Sequence, residues 1–205
     1  MIVVFDLDGT VVDSTKALLK AHEAAFSTLN RERPSDDAIL ELVGLPLLHT
    51  MKVLAPDEDA QKLAQAYSKA YKDTATQHEC LFDGMTDLLA QPFRAAVATG
   101  KSQQGAERSV NRHGLGDRFE IVLGANSVPH PKPHPDLLYA IMDATGTTDL
   151  VMVGDTTYDL EMAHAAGVRG IGVSWGHHSV RRLEKWGSVV HSVEALGVFL
   201  SRLAS

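Results

Sequence analysis

Short apolar runs alternate with longer amphipathic stretches along most of the chain, and this alternation constrains the fold more than any other feature. Apolar runs of strand length lie at residues 2–5, 94–98, 119–123, 150–153, 168–173 and 188–191. After residue 84 they alternate with helix-like stretches at 86–91, 103–113, 135–145, 158–166 and 193–203. Continuously apolar strands that alternate with helices are typical of parallel sheets covered on both faces. We therefore predict an α/β fold, with a Rossmann-like parallel-sheet core and helices on both faces.

The long segment between the first two apolar runs has a different, wholly helical pattern. Within residues 14–78, TKALLKAHEAAFSTLN and EDAQKLAQAYSKAYKDTATQH have the clearest helical periodicity, and shorter pieces punctuated by proline and glycine lie between them. The simplest interpretation is an all-helical domain inserted after the first strand. We assign residues 1–14 and 82–205 to the core and residues 15–81 to the insertion, which we call the cap.

The overall composition excludes several classes of protein. The chain has 205 residues, 44% of them hydrophobic and 22% charged, which is enough to bury a core of ordinary globular type. A net charge of -7, without any run of Lys or Arg, argues against nucleic-acid binding. The apolar runs are too short to cross a membrane, we expect no signal peptide, and the lone cysteine, Cys80, cannot form an intramolecular disulfide. We expect a cytoplasmic monomer or homodimer with no nucleic-acid or membrane partner.

Chemically capable side chains stand at the ends of the predicted strands or in the segments that follow them. In chain order they are Asp6, Asp8, Thr99, Lys132, Asp155 and Asp159. Ligands of open parallel sheets bind beyond the carboxyl ends of the strands, so neighbouring strand ends would bring these groups to one rim. Taken alone, each has an ordinary explanation, such as Asp-Gly turn chemistry, a helix-dipole partner or a solvated loop charge. Their joint occurrence at strand ends argues against coincidence.

The chemistry that such a set supports follows from its charges. Carboxylates as close as Asp6 and Asp8 repel each other, and burying them costs free energy unless a cation compensates. Clustered carboxylates bind hard divalent cations, and Mg²⁺ prefers one or two carboxylates together with waters and a substrate phosphate. One carboxylate can attack phosphorus, while a second protonates the leaving oxygen and later activates water. Phosphoryl oxygens can be held by an ammonium, a hydroxyl and backbone N–H groups, here those of Lys132, Thr99, Gly9 and Gly100.

These motifs resemble those of a known family. DLDGT at residues 6–10, Thr99, Lys132 and GDTTYD at residues 154–159 are similar, in type and order, to the four motifs of the haloacid dehalogenase-like hydrolases. The resemblance covers essentially the whole chain, including a helical cap after the first motif. FDLDGTVVDS, GLPL and VGDTTYDLEMAHAAGV look most like the phosphoglycolate-phosphatase-like branch. The resemblance differs in two details: Pro131 precedes Lys132 where serine is common, and the threonine motif continues as TGKS.

The resemblance implies a role for each motif residue. Asp6 would be the nucleophile, and Asp8 the general acid/base that also offers its backbone carbonyl to Mg²⁺. Asp6 and Asp155 would be the other metal ligands. The remaining residues would support these steps: Thr99 and Lys132 by stabilising the phosphoryl group, and Asp159 by supporting the metal or Lys132. An acid at position 8 favours a phosphatase over a dehalogenase, because cleavage of a carbon–halogen bond needs no leaving-group proton.

The expected function is hydrolysis of a small phosphorylated metabolite by a Mg²⁺-dependent phosphatase. The resemblance implies a phosphoglycolate-like phosphomonoester as substrate and an aspartyl-phosphate as intermediate. Three alternatives remain open: a phosphomutase of the β-phosphoglucomutase type, an inorganic pyrophosphatase, and a non-catalytic relative that binds a partner through the cap.

The cap segment LVGLPLLHT and the residues after it contain candidates for substrate specificity. In the resembling family a loop of this kind contributes to specificity, which makes Leu45, Leu47, His49 and Lys52 the candidates. The alternative for the leucines is ordinary packing between helices.

Other patterns are weaker. AAVATGKS fits a permissive phosphate-loop pattern, but its middle residues continue an apolar strand and leave no room for the glycine-rich turn. His130 and His134 have the spacing of a zinc-binding helix, which the surrounding prolines forbid. His177 and His178 either flank a helix or have a minor role near the site.

Overall fold

The computed structural model describes residues 1–29 and 32–203, and this part of the chain contains eight strands. In chain order they are β1 (Ile2–Phe5), β2 (Val12–Asp13), β3 (Cys80–Leu81), β4 (Arg94–Ala98), β5 (Ile121–Leu123), β6 (Leu150–Gly154), β7 (Arg169–Val173) and β8 (Ser188–Val190). Six of them form a parallel sheet in the order β5-β4-β1-β6-β7-β8, which confirms the predicted α/β core.

The same part of the chain contains ten α-helices. In chain order they are α1 (Thr15–Ser27), α2 (Asp36–Leu40), α3 (Leu47–Leu54), α4 (Ala60–His78), α5 (Met85–Leu89), α6 (Gln103–Arg112), α7 (Asp136–Thr145), α8 (Thr157–Ala165), α9 (Val180–Leu183) and α10 (Val193–Leu203). The five helices predicted after residue 84 correspond to α5, α6, α7, α8 and α10, and their ends differ by at most two residues. The short helix α9 was not predicted.

Both faces of the sheet are covered by helices. Successive residues of β1 point to opposite faces. Val3 and Phe5 pack with α5, α6 and α10, whereas Ile2 and Val4 pack with α7 and α8. All four side chains are fully buried, as expected for a central strand of a sheet sandwiched between two helical layers.

The strand order determines where a ligand can bind. Numbered within the parallel sheet alone, the strands run 3-2-1-4-5-6, so the order reverses between β1 and β6. A crevice forms beyond the carboxyl ends of the strands at such a switch point. Asp6 follows β1 there, and its N–H donates a 3.0 Å hydrogen bond to the carbonyl of Val153 in β6. Asp155 follows β6 at the same edge.

Helices α1 to α4 lie in the segment that the sequence assigns to the cap. Their apolar side chains form a separate cluster, whose largest fully buried members are Phe26, Met51 and Leu63. Because every member of this cluster lies within residues 15–81, we propose that the cap is a subdomain with a core of its own.

The two connections between the cap and the core run side by side. In an antiparallel ribbon, Val12 and Asp13 of β2 pair with Leu81 and Cys80 of β3. Asp13, the third acid of the N-terminal segment, therefore belongs to this two-stranded connection, which we call the hinge.

No helix in the described ranges is both long and apolar enough to cross a bilayer.

Candidate active site

Asp6 lies at the centre of the crevice, directly after β1. Its side chain is fully buried, and neither carboxylate oxygen has a hydrogen-bond partner among the described residues. The Nζ atom of Lys132 lies 3.0 Å from Oδ1, close enough for an ion pair but without hydrogen-bond geometry. Burial, together with the nearby acids, outweighs Lys132 and raises the pKa of Asp6 to about 7. Asp6 therefore has two buried oxygens available for a cation or a substrate.

Lys132 is held between two carboxylates. Its Nζ atom lies 2.5 Å from Asp159 Oδ1 as well as 3.0 Å from Asp6, and all three side chains are shielded from solvent. Burial opposes the charge on Lys132, but Asp159 and Asp6 outweigh it and raise its pKa. The other oxygen of Asp159 accepts hydrogen bonds from the backbone N–H and the hydroxyl of Thr156, at 3.1 and 2.7 Å. Asp159 thus positions the ammonium of Lys132 against Asp6.

Asp155 is held by a different set of donors. Its Oδ1 accepts a 2.9 Å hydrogen bond from the Thr10 hydroxyl, and its Oδ2 accepts one of 2.8 Å from the backbone N–H of His177. The His177 ring nitrogen Nδ1 also lies 2.8 Å from Oδ2. Burial alone would raise the pKa of Asp155, but the contacts with His177 outweigh it and lower the pKa. Asp155 is therefore an ionised, buried carboxylate.

The backbone around Asp155 is packed so closely that two positions admit only glycine. Gly9 has a φ of +76°, and a Cβ there would lie 2.2 Å from Asp155 Oδ2. A Cβ on Gly176 would lie 2.2 Å from the Asp155 Cβ. The predicted phosphate-binding residue Gly9 is thus placed at the site.

The acids of the crevice fit a divalent cation. Asp6, Asp155 and Asp159 each offer a carboxylate oxygen, and these three oxygens lie within 4.8 Å of one another. Two oxygens of Asp6 are buried without a hydrogen bond, a costly arrangement that a cation would relieve. A donor set made only of oxygens suits Mg²⁺. The Asp8 side chain is not part of this group, so the backbone carbonyl remains the atom through which Asp8 is predicted to bind the metal.

Asp8 differs from Asp6 in its surroundings. The Ser14 hydroxyl donates a short hydrogen bond to Asp8 Oδ1, and Lys101 Nζ lies 2.9 Å from the same oxygen. Asp8 also lines the cavity between core and cap. The two acids of the DLDGT segment therefore have different partners, as their predicted division into nucleophile and acid/base requires.

Thr99 and Gly100 border the cavity at the end of β4. Thr99 is buried, its N–H donates a 3.1 Å hydrogen bond to the Leu123 carbonyl, and the residue lines the cavity. Gly100 touches the cap, because a Cβ there would lie 2.3 Å from the Gly44 carbonyl oxygen. The interface between core and cap, which we call the seam, therefore includes Gly100, a predicted phosphate-binding residue.

A cavity of about 150 Å³ lies over these groups. Its cap side is largely apolar and includes Leu45 and Leu47, two of the predicted specificity residues. His49 and Lys52 are exposed and outside the cavity lining, because they lie on the opposite side of α3 from Leu47. The cavity wall also includes basic side chains, those of Lys72, Lys101, Arg108 and Arg112.

Two residues at the site are not among the predicted site residues. Lys101, the ion-pair partner of Asp8, stands two residues after Thr99 in the TGKS segment, and its position beside a strand end was the available signal. His177, for which the sequence left a minor role open, contacts Asp155. Its placement just after β7 was the corresponding signal.

Comparison with known proteins finds relatives along nearly the whole chain. The family model described as haloacid dehalogenase-like hydrolase matches residues 3–173. The chain is 36% identical to "Probable phosphatase IndB" of Dickeya dadantii, over 89% of this chain and 85% of that protein. It is 31% identical to "Tyrosine-protein kinase PtkA" of Mycobacterium tuberculosis, over 96% and 72% of the two chains. "Pyrophosphatase PpaX" of Halalkalibacterium halodurans is 27% identical, over 82% and 80%.

Solved structures share the fold across both core and cap. A hydrolase from Pseudomonas syringae superimposes with a TM-score of 0.87 at 23% identity, covering 100% of each chain. The structure of PtkA superimposes with a TM-score of 0.81 at 28% identity, covering 97% of each. The fold of core and cap together is therefore one that other proteins share at low sequence identity.

Proposed function

The chain belongs to the haloacid dehalogenase-like hydrolases and acts on phosphate esters, and from this premise we propose that it is a Mg²⁺-dependent phosphatase working through an aspartyl-phosphate on Asp6. The observation that supports the nucleophile assignment best is the pair of buried Asp6 oxygens without hydrogen bonds, facing the cavity beside Lys132. A carboxylate restrained by few hydrogen bonds is free to attack, whereas Asp155 is tied by three contacts.

In the proposed first half-reaction, an Asp6 oxygen attacks phosphorus, and the bond between phosphorus and the leaving oxygen breaks. Asp8 gives a proton to that oxygen, so the product leaves as an alcohol. Lys132 and Thr99 hold the phosphoryl oxygens through their ammonium and hydroxyl groups. When bound to Asp6, Asp155 and the Asp8 carbonyl, Mg²⁺ would offset the charge of the phosphate dianion.

In the proposed second half-reaction, Asp8 takes a proton from water, and the resulting hydroxide attacks the phosphorus of the aspartyl-phosphate. The bond between phosphorus and Asp6 breaks, which releases inorganic phosphate and restores the free carboxylate. The cap over the cavity would restrict this water to a small volume.

We propose a small phosphomonoester, of the phosphoglycolate type, as the substrate. A cavity of about 150 Å³ with an apolar cap side leaves room for a short organic group beyond the phosphate. A pyrophosphatase is the second candidate, because Lys72 and Arg108 line the same cavity and would suit a second phosphate. The relative named PpaX points in the same direction.

A substrate panel tests the proposed function. The purified protein is incubated with Mg²⁺ and with aryl phosphate, alkyl phosphates, phosphoglycolate, a hexose 1-phosphate or pyrophosphate, and the phosphate released is measured. We expect release from monoesters, loss of all turnover in Asp6→Asn, and retention in the matched variant Asp13→Asn, because Asp13 lies in the hinge.

Other outcomes would favour other functions. Conversion of the hexose 1-phosphate to the 6-phosphate would indicate a mutase, and turnover of pyrophosphate alone would indicate a pyrophosphatase. A tyrosine peptide with ATP is included because one relative is named a tyrosine-protein kinase. Silence across the whole panel would favour the non-catalytic alternative, and full activity of Asp6→Asn would contradict Asp6 as nucleophile.

A further inference from the structure

A continuous chain of polar contacts connects Asp8 with the cap. Lys101 Nζ lies 2.9 Å from Asp8 Oδ1 and donates a 2.9 Å hydrogen bond to the Tyr71 hydroxyl. The Tyr71 hydroxyl in turn donates a 2.5 Å hydrogen bond to Glu79 Oε2. We call these four residues, Asp8, Lys101, Tyr71 and Glu79, the Asp8–Glu79 chain. It crosses the seam between core and cap, because Asp8 and Lys101 belong to the core loops and Tyr71 lies in α4.

The charge states along the Asp8–Glu79 chain fix the direction of each hydrogen bond. Burial opposes the charge on Lys101, but Asp8 and Glu79 outweigh it and hold its pKa above the usual value. Burial and the same two acids raise the pKa of Tyr71 well above its usual value. Lys101 is therefore an ammonium donor, and the protonated Tyr71 accepts from it and donates onward to Glu79.

Glu79 anchors the far end of the Asp8–Glu79 chain to the core. Its side chain is buried at the carboxyl end of α4 and accepts hydrogen bonds from Ser109, at 2.6 Å, and Arg112, at 2.9 Å, both in α6. His113 adds a contact of 3.2 Å. Burial would raise the pKa of Glu79, but the hydrogen bonds from His113, Ser109 and Tyr71, with the charge of Lys101, outweigh it and lower the pKa. The carboxylate is thus a fixed, ionised end point.

Lys101 contacts a core residue, Asp8, and a cap residue, Tyr71, at the same time. Its side chain is 9% exposed, and its Nζ lies 4.3 Å from the centroid of the Tyr71 ring as well as within hydrogen-bond distance of the hydroxyl. A lysine side chain has many rotamers in water, and simultaneous contacts of its ammonium with Asp8 and Tyr71 restrict Lys101 to few of them. The place of Lys101 therefore depends on where α4 lies.

We propose that Lys101 is a positioning residue for Asp8, and that Tyr71 makes this positioning depend on the seating of the cap. The inference rests on the proposed function, in which Asp8 transfers the proton. Lys101 and Ser14 both contact Asp8 Oδ1, so Oδ2 is the oxygen that we assign to proton transfer. With the cap displaced, the Tyr71 hydroxyl leaves Lys101, the ammonium loses its restraint, and Asp8 loses its fixed orientation. Proton transfer by Asp8 is thereby confined to the conformation in which Tyr71 of the cap contacts Lys101.

The test compares esters that differ in their need for a proton. An alkyl phosphate needs general-acid help to expel its leaving group, whereas an aryl phosphate with a good leaving group needs little. We expect Lys101→Met to lower kcat/KM about tenfold more for the alkyl than for the aryl ester. Lys101→Arg should recover part of this loss, because the cation returns. Tyr71→Phe keeps the aromatic ring and removes the hydroxyl. It should lower kcat/KM less than Lys101→Met does, and again more for the alkyl than for the aryl ester.

Two further variants make the result specific. Lys69→Met is the matched control, since Lys69 is an exposed lysine on the same helix as Tyr71, and it should leave both esters unchanged. Asp8→Asn should itself lower kcat/KM, which reports the first half-reaction, far more for the alkyl than for the aryl ester, while the loss of the base lowers kcat for both. If Asp8→Asn lowers kcat/KM equally for the two esters, the acid assignment of the proposed function fails. If it behaves as expected while Lys101→Met lowers kcat/KM equally for the two esters, only the positioning of Asp8 by Lys101 is overturned.

Folding defects are separated by measuring the melting temperature of each variant. Should Lys101→Met fail to fold, kcat/KM of Tyr71→Phe and Lys101→Arg for the two esters still tests the positioning of Asp8. A Tyr71→Phe variant with unchanged preference for aryl over alkyl esters would overturn the dependence on the cap.

Discussion

The Nζ atom of Lys132 lies 3.0 Å from Oδ1 of Asp6, and both side chains are completely shielded from solvent. The same ammonium also contacts Asp159, so two buried carboxylates share one cation within this trio. Such an arrangement is electrostatically expensive, because each ion has lost its hydration. The contacts of Lys132 with Asp6 and Asp159 therefore affect both the stability of the fold and the reactivity of the site.

Removal of Lys132 should destabilise the fold as well as abolish turnover. Lys132→Met leaves Asp6 and Asp159 buried without their cation, and breaking a buried pair costs about 3–5 kcal/mol. Urea denaturation in EDTA would measure this loss. Lys185→Met, which removes an exposed lysine, should change stability little. Equal stability of the two variants would contradict the shared-cation arrangement.

Removal of the divalent metal should abolish activity reversibly, and its addition should stabilise the protein. Bound Mg²⁺ would relieve the repulsion at Asp6, and a ligand at one hundred times its Kd stabilises by about 2.7 kcal/mol. Thermal denaturation with and without Mg²⁺ would show this as a rise in melting temperature. The rise should vanish in Asp155→Asn and persist in Asp117→Asn, which alters an exposed acid. A rise that persists in Asp155→Asn would exclude Asp155 as a ligand.

Substitution of Gly100 should displace the cap from the core. In Gly100→Ala the new Cβ would lie 2.3 Å from the Gly44 carbonyl oxygen, a backbone atom of the cap that cannot rotate away. We expect kcat/KM to fall by about tenfold or more, with a stability loss of about 1–3 kcal/mol from overpacking. Gly116→Ala is the control, because its nearest neighbour is the end of the Asn111 side chain at 3.0 Å. Wild-type kinetics in Gly100→Ala would show that catalysis tolerates a displaced cap.

His22 should make the protein less stable at acidic pH. Burial lowers the pKa of His22 to about 4, from 6.5, and its Nε2 has no hydrogen-bond partner among the described residues. The unfolded chain therefore binds a proton between these values that the folded chain does not, so stability is complete above pH 6.5 and is lost as the pH falls towards 4. The loss should approach about 2–3 kcal/mol near pH 4.5.

Comparison of variants isolates the contribution of His22. Between neutral pH and pH of about 4.5, urea denaturation should show wild type losing about 2–3 kcal/mol more than His22→Leu. His191→Asn, at an exposed histidine, should follow the wild-type curve. Parallel curves for wild type and His22→Leu would show that His22 titrates normally in the folded protein.

The core was predictable because its signals are local. The strands of the sheet are apolar except for polar first residues in β4, β7 and β8, and the acids that follow β1 and β6 come together because the order of parallel strands reverses between them. The strand predicted at 119–123 is shorter in the structure, where its pairing with β4 begins at Ile121 opposite Ala96. Helix α9 was missed because four residues are too short for a periodic pattern.

The contacts between core and cap could not be predicted from the sequence. Tyr71 and Lys101 are separated by 30 residues, and their hydrogen bond exists only because α4 lies over the loop after β4. The resemblance makes His49 and Lys52 specificity candidates through the loop LVGLPLLHT, but α3 begins at Leu47 and both side chains are exposed to solvent. Side-chain direction in the cap depends on where each helix begins, which proline and glycine punctuation indicates only approximately.

The ribbon of β2 and β3 has a consequence for how such proteins diversify. The residues at which the cap leaves and rejoins the core are paired neighbours, Asp13 opposite Cys80. To the core, the whole insertion is topologically equivalent to the tip of a hairpin. The entropy of closing such a loop grows only slowly with its length. A cap of another size or fold could therefore be exchanged at this point with the sheet left intact, so that new substrates are acquired without rebuilding the catalytic residues.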